Sequence, residues 1–441
     1  MPIQCSPDKS CSFSGLLLVI LFIPMALFGQ KNDDTLTIDE AVRRALEYSH
    51  DLKGLAEQYK ALVADSLGTR SIFYPEVSLD ASYAFIGPKD NFTIKFGPTG
   101  FAMAPQNNID THLKTSMVLW DFGKRKLSMD MLGKDLQLLN ANAALATRLI
   151  ESKVTALVIE IAMLQKGVAI RRENIESLAR HRDIVIKMVE TGSSTEYEAV
   201  TVSAKQASAR SLLLDAENTL YKKQITLSQV IGTLNGHVHP VNVSFDSTEY
   251  VPDIDSLIGV AGKNRTEIRI GREKLEKLSV QRDLLKKEML PVLAASVSVG
   301  VKNGYPSDVD AVKPDWSAAT ALSIPVFDGG DVRHRRSALE HRFIAAQEEL
   351  RKTVEQVNTE VMLAAQDVGT AYKKLGISQV QVAFSEQSLS IAEQKLIAGT
   401  ITNNDVLDSQ RDYFQAKMIH LQNQLQYTLS LYMLKTVEGV L

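Results

Sequence analysis

Apolar residues recur at helical spacing from Leu36 to Ala64, and Thr37 stands three residues before Glu40 as in a capping box. That stretch is expected to be one helix. At Pro75 the period drops to two: Val77, Leu79, Ala81, Tyr83 and Phe85 alternate with Ser78, Asp80, Ser82 and Ala84, which predicts a strand with unlike faces. Gly87 to Asp110, with Pro88, Gly97, Pro98, Gly100 and Pro105, reads as an exposed loop, and His112 to Trp120 as a returning strand. From Lys124 to about Glu190 proline is absent, and Val154, Ile161, Val168 and Ile175 stand seven apart with Leu157, Leu164 and Leu178 beside them. A seven-residue repeat marks helices that wind around one another, and a helix of this span is about 100 Å long at about 1.5 Å per residue.

The pattern is then written again. Asp51 and Pro75 recur as Glu267 and Pro291, each 216 residues on; Asp121, Gly123 and Gly192 recur as Asp328, Gly330 and Gly399, each 207 residues on. The difference in offset places one loop of unequal length between the two strands of each copy. The second copy carries a strand from Pro291 to Val301, a loop from Lys302 to Asp315, a strand from Trp316 to Phe327 and a last helix from about Asn403. Its heptad frame is Val361, Val368, Leu375, Val382, Leu389 and Leu396, opposed by the small residues Ala364, Ala371, Ser378, Ser385 and Ala392. The chain therefore divides into residues 1–29 as a signal peptide, 30–234 as a first repeat, 235–252 as a linker rich in glycine and proline, and 253–441 as a second repeat.

Leu16 to Phe28 is apolar but too short to span a bilayer, which fits the core of a secretory signal rather than an anchor. Cys5 and Cys11 both precede it, so cleavage near Gln30 leaves a chain free of cysteine. The net charge of −3, without a basic tail or stripe, argues against a nucleic-acid partner. No later segment is apolar enough for a transmembrane helix, which leaves periplasm, medium, or an outer membrane reached through β-strands. Four strands placed in lipid would leave two edges of unpaired N–H and C=O groups, and membrane barrels need about eight strands to close. Either the strands pack in water against helices, or several chains share one barrel. The few charges on the strands, and the lack of a flanking helix pattern to cover them, favour the shared barrel.

Three strings carry a family likeness: Leu36-Thr-Ile-Asp-Glu-Ala-Val42, Ser323-Ile-Pro-Val-Phe-Asp-Gly-Gly330, and above all Ala398-Gly-Thr-Ile-Thr-Asn-Asn-Asp-Val-Leu-Asp-Ser-Gln410. They resemble the TolC family of outer-membrane efflux proteins, and the likeness extends over the duplicated chain. The resemblance implies a mainly α chain with a small β part, in which long coiled-coil hairpins and four transmembrane strands per chain join a trimeric 12-stranded barrel and an α-helical periplasmic tunnel. It implies a passive exit duct of a tripartite efflux or type I secretion system in the cell outer membrane, extending into the periplasm. Its expected partners are two further copies of itself, a periplasmic adaptor protein, an inner-membrane transporter and outer-membrane lipid. The competing class is a periplasmic or secreted coiled-coil interaction protein without channel activity.

Gly192 and Gly399 stand where long helices turn, and a helix C-terminus needing a left-handed residue explains glycine there. The resemblance adds a role for those turns, Gly192 with Ser193 and Gly399 with Thr400, as the adaptor-contacting periplasmic tip. Asp405 and Asp408 match acidic residues that ring the family's constriction, and Glu198 aligns with Asp405 across the repeat. Acids in a first helical turn are also favoured by the helix dipole alone. The family often has an aromatic residue where Leu396 stands, an arginine where Ile401 stands and a leucine where Ser193 stands, so latch contacts made by those side chains do not carry over. His237 and His239 lack a neighbouring carboxylate or cysteine cluster and assign no metal site; His334 and His341, beside Arg333, Arg335 and Arg336, read as a solvated basic face. HExxH, GxSxG, P-loop and GxGxxG strings are all absent, no cofactor is called for, and the chain reads as a non-enzyme. Asp121 and Asp328 need no chemistry as turn residues before Gly123 and Gly330.

Overall fold

The computed structural model describes residues 35–88, 93–96, 99–102, 104–233, 241, 243, 245, 248–305 and 308–439. The expected signal peptide, both cysteines and the His237/His239 pair lie outside the described residues. The elements run α1 (Ile38–Tyr48), α2 (His50–Arg70), β1 (Glu76–Phe85), β2 (Thr93–Phe96), β3 (Thr99–Ala102), β4 (Asn107–Trp120), α3 (Lys124–Glu190), α4 (Glu196–Ile231), α5 (Ile254–Asn264), α6 (Thr266–Lys287), β5 (Val292–Lys302), β6 (Lys313–Ser323), α7 (Asp331–Ile397) and α8 (Asn403–Glu438). The two copies match in length: α3 and α7 each have 67 residues, and α4 and α8 each have 36.

Heptad residues form the core of the helical part. Val154, Ile161, Val361 and Val368 are fully enclosed, and Leu157, Leu178, Leu375, Leu389 and Leu396 are buried around them. The small residues opposite, Ala364, Ala371, Ser378 and Ala392, are buried as well, where they let neighbouring helices approach. In the half near the strands the packing order is α2, α3, α6, α7; in the far half it is α4, α3, α8, α7.

Four strands form one antiparallel sheet in the order β1-β4-β5-β6, with β1 and β6 at its edges, and β2 pairs with β3 separately. Register sorts the side chains cleanly. One face carries rows such as Leu79, Leu113, Val299, Trp316, and the other Ser78, Lys114, Ser298, Ser317. The apolar row is exposed, with no helix laid over it. On the polar face, His112 reaches across Gly300 to Asp315 Oδ2 at 3.0 Å; a Cβ at Gly300 would stand 2.8 Å from the His112 ring.

Four expectations need correction. The first helix is two, because the Ser49 backbone leaves helical geometry and its hydroxyl accepts from Leu52 N to start α2. The capping box at its start is half formed: Glu40 N donates to Thr37, but the Glu40 carboxylate is held by Arg43 and Arg44 at 2.7 and 2.6 Å. The Gly87–Asp110 loop contains the β2-β3 hairpin and the first residues of β4. The last strand ends at Ser323 rather than Phe327, as befits a stretch where Pro325 has no N–H to donate. Where the linker is described it is packed: Val241 bridges Leu36, and Val243 and Phe245 pack on the core formed by α1, α3 and α4.

Candidate functional site: the tip of the hairpins

Both long helices end in the same motif. Gly192 and Gly399 adopt φ of 75° and 72°, a region costly to any residue with a Cβ. Gly192 N donates to Val189 O at 3.0 Å and Ser193 N to Met188 O at 2.8 Å; Gly399 N donates to Leu396 O at 2.9 Å and Thr400 N to Lys395 O at 3.0 Å. These paired bonds close the last carbonyls of each helix and reverse the chain within a few residues.

The acidic residues are engaged locally and are not brought together within one chain. Asp405 completes a capping box at the start of α8: its carboxylate accepts from Thr402 N at 2.8 Å and Thr402 Oγ1 at 2.7 Å, while Asp405 N donates to Thr402 Oγ1. Those bonds from Thr402, side chain first and backbone second, hold the Asp405 carboxyl below its ordinary range. Asp408 pairs with Arg411 at 2.8 Å, one turn on. Glu198, on α4, accepts from Ser194. Asp405 and Glu198 therefore stand in the first turns of α8 and α4, whereas Asp408 lies beyond the first turn and is partly offset by Arg411.

Behind the turns lie two apolar clusters that trade residues between hairpins. Leu407 of α8 joins Leu178, Val185, Val202 and Ala209 of the first hairpin. Met188 of α3 joins Leu389, Ala392, Leu396 and Val406 of the second. Between them His181 Nε2 donates to Asn403 Oδ1 at 2.7 Å, both residues buried. Burial pushes the His181 imidazole below its ordinary value, more than the Asn403 bond and the Glu393 charge raise it. Sequence reasoning missed this pair, which is 222 residues apart in the chain. The available signal was a histidine on the buried stripe between Leu178 and Val185.

Among the described residues no cluster of His, Cys, Asp and Glu could hold a metal ion, and no helix is long and apolar enough to cross a membrane. Asp121 accepts from Gly123 N and Arg125 N, and Asp328 from Gly330 N and Val332 N, so both serve as caps for the helices that leave the sheet.

The described chain is thus a set of long paired hairpins below a two-faced sheet whose edge strands are β1 and β6, a fold it shares with solved outer-membrane channels. Residues 257–440 match the outer membrane efflux protein family. The structure of CusC superposes with a TM-score of 0.78 at 16% identity, covering 91% of this chain and 92% of that one. VceC of Vibrio cholerae gives 0.76 at 17%, with 91% and 96% covered, and the Campylobacter jejuni CmeC outer membrane channel gives 0.75 at 16%, with 91% and 85% covered. No curated protein matches the chain by sequence.

Proposed function

We propose that the protein is a passive exit duct in the cell outer membrane, a homotrimer reaching into the periplasm, where an adaptor joins it to the inner-membrane transporter that supplies energy. The observation that carries this reading is what the far half leaves exposed at its two edge helices. On α4, Tyr197, Val200, Ala204, Ala207, Leu214 and Tyr221 form an exposed stripe at heptad spacing; on α7, Leu363, Ile377, Val380, Phe384 and Ile391 form another. Stripes of this period call for a partner helix. Because α3 packs on α8 within the chain, the repeat makes α7 against α4 of the next copy the equivalent contact. The same closure lets the free edge of β6 meet the free edge of β1, which removes unpaired backbone groups from lipid. A coiled-coil interaction protein without a channel would not account for the bare Leu79, Leu113, Val299, Trp316 face.

In this reading the Gly192–Ser193 and Gly399–Thr400 turns present the adaptor contact, and Glu198, Asp405 and Asp408 line the narrow end. The detergent-extracted protein should have the mass of a trimer; a monodisperse monomer retaining its β-structure would sink the proposal. Leu79→Arg should cost about 2–4 kcal/mol and abolish assembly, while Ser78→Arg on the polar face is tolerated. Equal damage from both would mean the faces have been misassigned.

A further inference from the structure

Two cavities adjoin along the cleft shared by α3, α4 and α8. The first, about 340 Å³, has Leu178, Ala209, Leu407 and Phe414 on its apolar side and Arg171, Lys205, Gln410 and Arg411 on its polar side. The second, about 580 Å³, shares Arg171, Leu212 and Met418 with the first and continues past Gly167 to Leu164 and Leu425. Both are of the size that takes a small molecule. From Leu178 to Leu164 the cleft is about 21 Å long, at about 1.5 Å per residue of α3.

The first cavity has more donors than acceptors. Nε2 of Gln410, a residue only 2% exposed, and Nε of Arg171 are enclosed without a hydrogen-bond partner. Among the described residues neither Arg171 nor Lys205 has an ion-pair partner. The carboxylate in the lining, Asp408, is already held by Arg411 at 2.8 Å, so three cations face one acid and leave the cavity positive. The second cavity is mainly apolar: its acids are Glu160, paired with Lys223 at 2.9 Å, and Asp215, which is exposed at the rim. A buried donor without an acceptor is costly, and a carboxylate can satisfy several donors at once through charge-assisted bonds. We propose that the cleft binds a single-chain anionic amphiphile of the fatty-acid type, its carboxylate on Arg171, Gln410 and Lys205 and its tail along Leu164, Gly167 and Met418. Lys205, Ala209 and Leu212 alternate with the α4 stripe of Val200, Ala204, Ala207 and Leu214, so a neighbour packed on that stripe leaves the cleft accessible. The binding site belongs to one chain and does not depend on the duct reading.

The test uses the full-length protein in an uncharged detergent and laurate carrying a photoreactive diazirine in its tail. Irradiation should mark the peptides of α3, α4 and α8 that line the cleft. Excess laurate should suppress the marking; dodecanol, which has the tail without the charge, and acetate, which has the head without the tail, should not. Arg171→Met should reduce the marking about tenfold and Gln410→Leu about threefold. Arg172→Met, at a neighbour already paired with Glu217 at 2.7 Å, should leave it unchanged. Where Gln410→Leu fails to fold, Arg171→Met combined with Lys205→Met, at less buried positions, carries the test. Marking spread alike over the exposed sheet face and the helices, competition by dodecanol equal to that by laurate, or equal effects of Arg171→Met and Arg172→Met overturns the inference. A protein that is a monomer in detergent and is still marked in the cleft overturns the duct reading alone; a trimeric channel without that pattern overturns this inference alone.

Discussion

The two turns at the tip share a backbone and differ in how the next helix begins. After Gly399, Thr402 and Asp405 satisfy each other's backbone groups in a reciprocal box. After Gly192, Thr195 occupies the corresponding cap position and its side chain makes no capping bond, while Glu198 turns back to Ser194. The core behind them differs too: Leu396 is buried at the end of α7, and its counterpart Val189 at the end of α3 is only half-buried. The second turn is thus fixed from both sides and the first from one. One repeated scaffold has produced a stiff element and a more adaptable one.

The largest expected effect separates the turns by their cores. Leu396→Asp places an unpaired charge among Leu389, Ala392 and Val406 and should cost about 4 kcal/mol, while Val189→Asp costs less than half of that. Thermal unfolding of the purified trimers would measure both, and equal losses would erase the distinction between the turns. Next, Thr402→Ala should cost about 1 kcal/mol, whereas Thr195→Ala stays within about 0.5 kcal/mol. A comparable loss at Thr195 would show that it caps α4 after all.

A third measurement uses pH. His181 is held below the ordinary histidine value of 6.5 by burial, so the packed tip favours the neutral ring and the separated hairpins bind the proton more readily. The stability it contributes is complete above that ordinary value, and falls as pH drops from there toward the lowered one. Thermal stability of the wild type should decline over that window, with a shallower decline in His181→Gln; parallel curves would show that other groups carry the effect. The smallest effect concerns permeation. Asp405 and Asp408 should confer modest cation preference and block by trivalent cations, weakened at Asp408 by Arg411. Asp405→Ala with Asp408→Ala should abolish both properties, and Arg411→Ala should strengthen them. Reversal-potential shifts in a salt gradient decide the matter: unchanged preference in the double variant would leave Asp405 as a helix cap and Asp408 as a partner of Arg411 only.

Much of this architecture was readable from period alone. Val361, Val368, Leu375, Leu389 and Leu396 kept their heptad frame because a rod has no compact core to override local pattern, and Leu79 with Ser78 kept opposite faces because successive side chains alternate in an extended strand. Local polar chemistry was harder to read. Thr37 and Glu40 spell a capping box, yet Arg43 and Arg44 offer the Glu40 carboxylate two charged partners within one turn and win. Thr402 and Asp405 form the box instead, with the shorter acid. The His181–Asn403 contact lay beyond reach because it depends on how two hairpins meet, and no period within either one encodes that.

Equal helix lengths in the two copies have a consequence for how such a chain can change. One residue inserted in α3 alone would lower its turn by about 1.5 Å and swing it by about 100°, giving the rim alternating tall and short teeth. Seven residues added alike to α3, α4, α7 and α8 would instead lengthen the tube by about 10 Å with every seam still in phase. The length of the helical hairpins is therefore a gauge that can be reset only in matched steps, so relatives with longer hairpins should differ from this chain by whole heptads placed symmetrically in both halves.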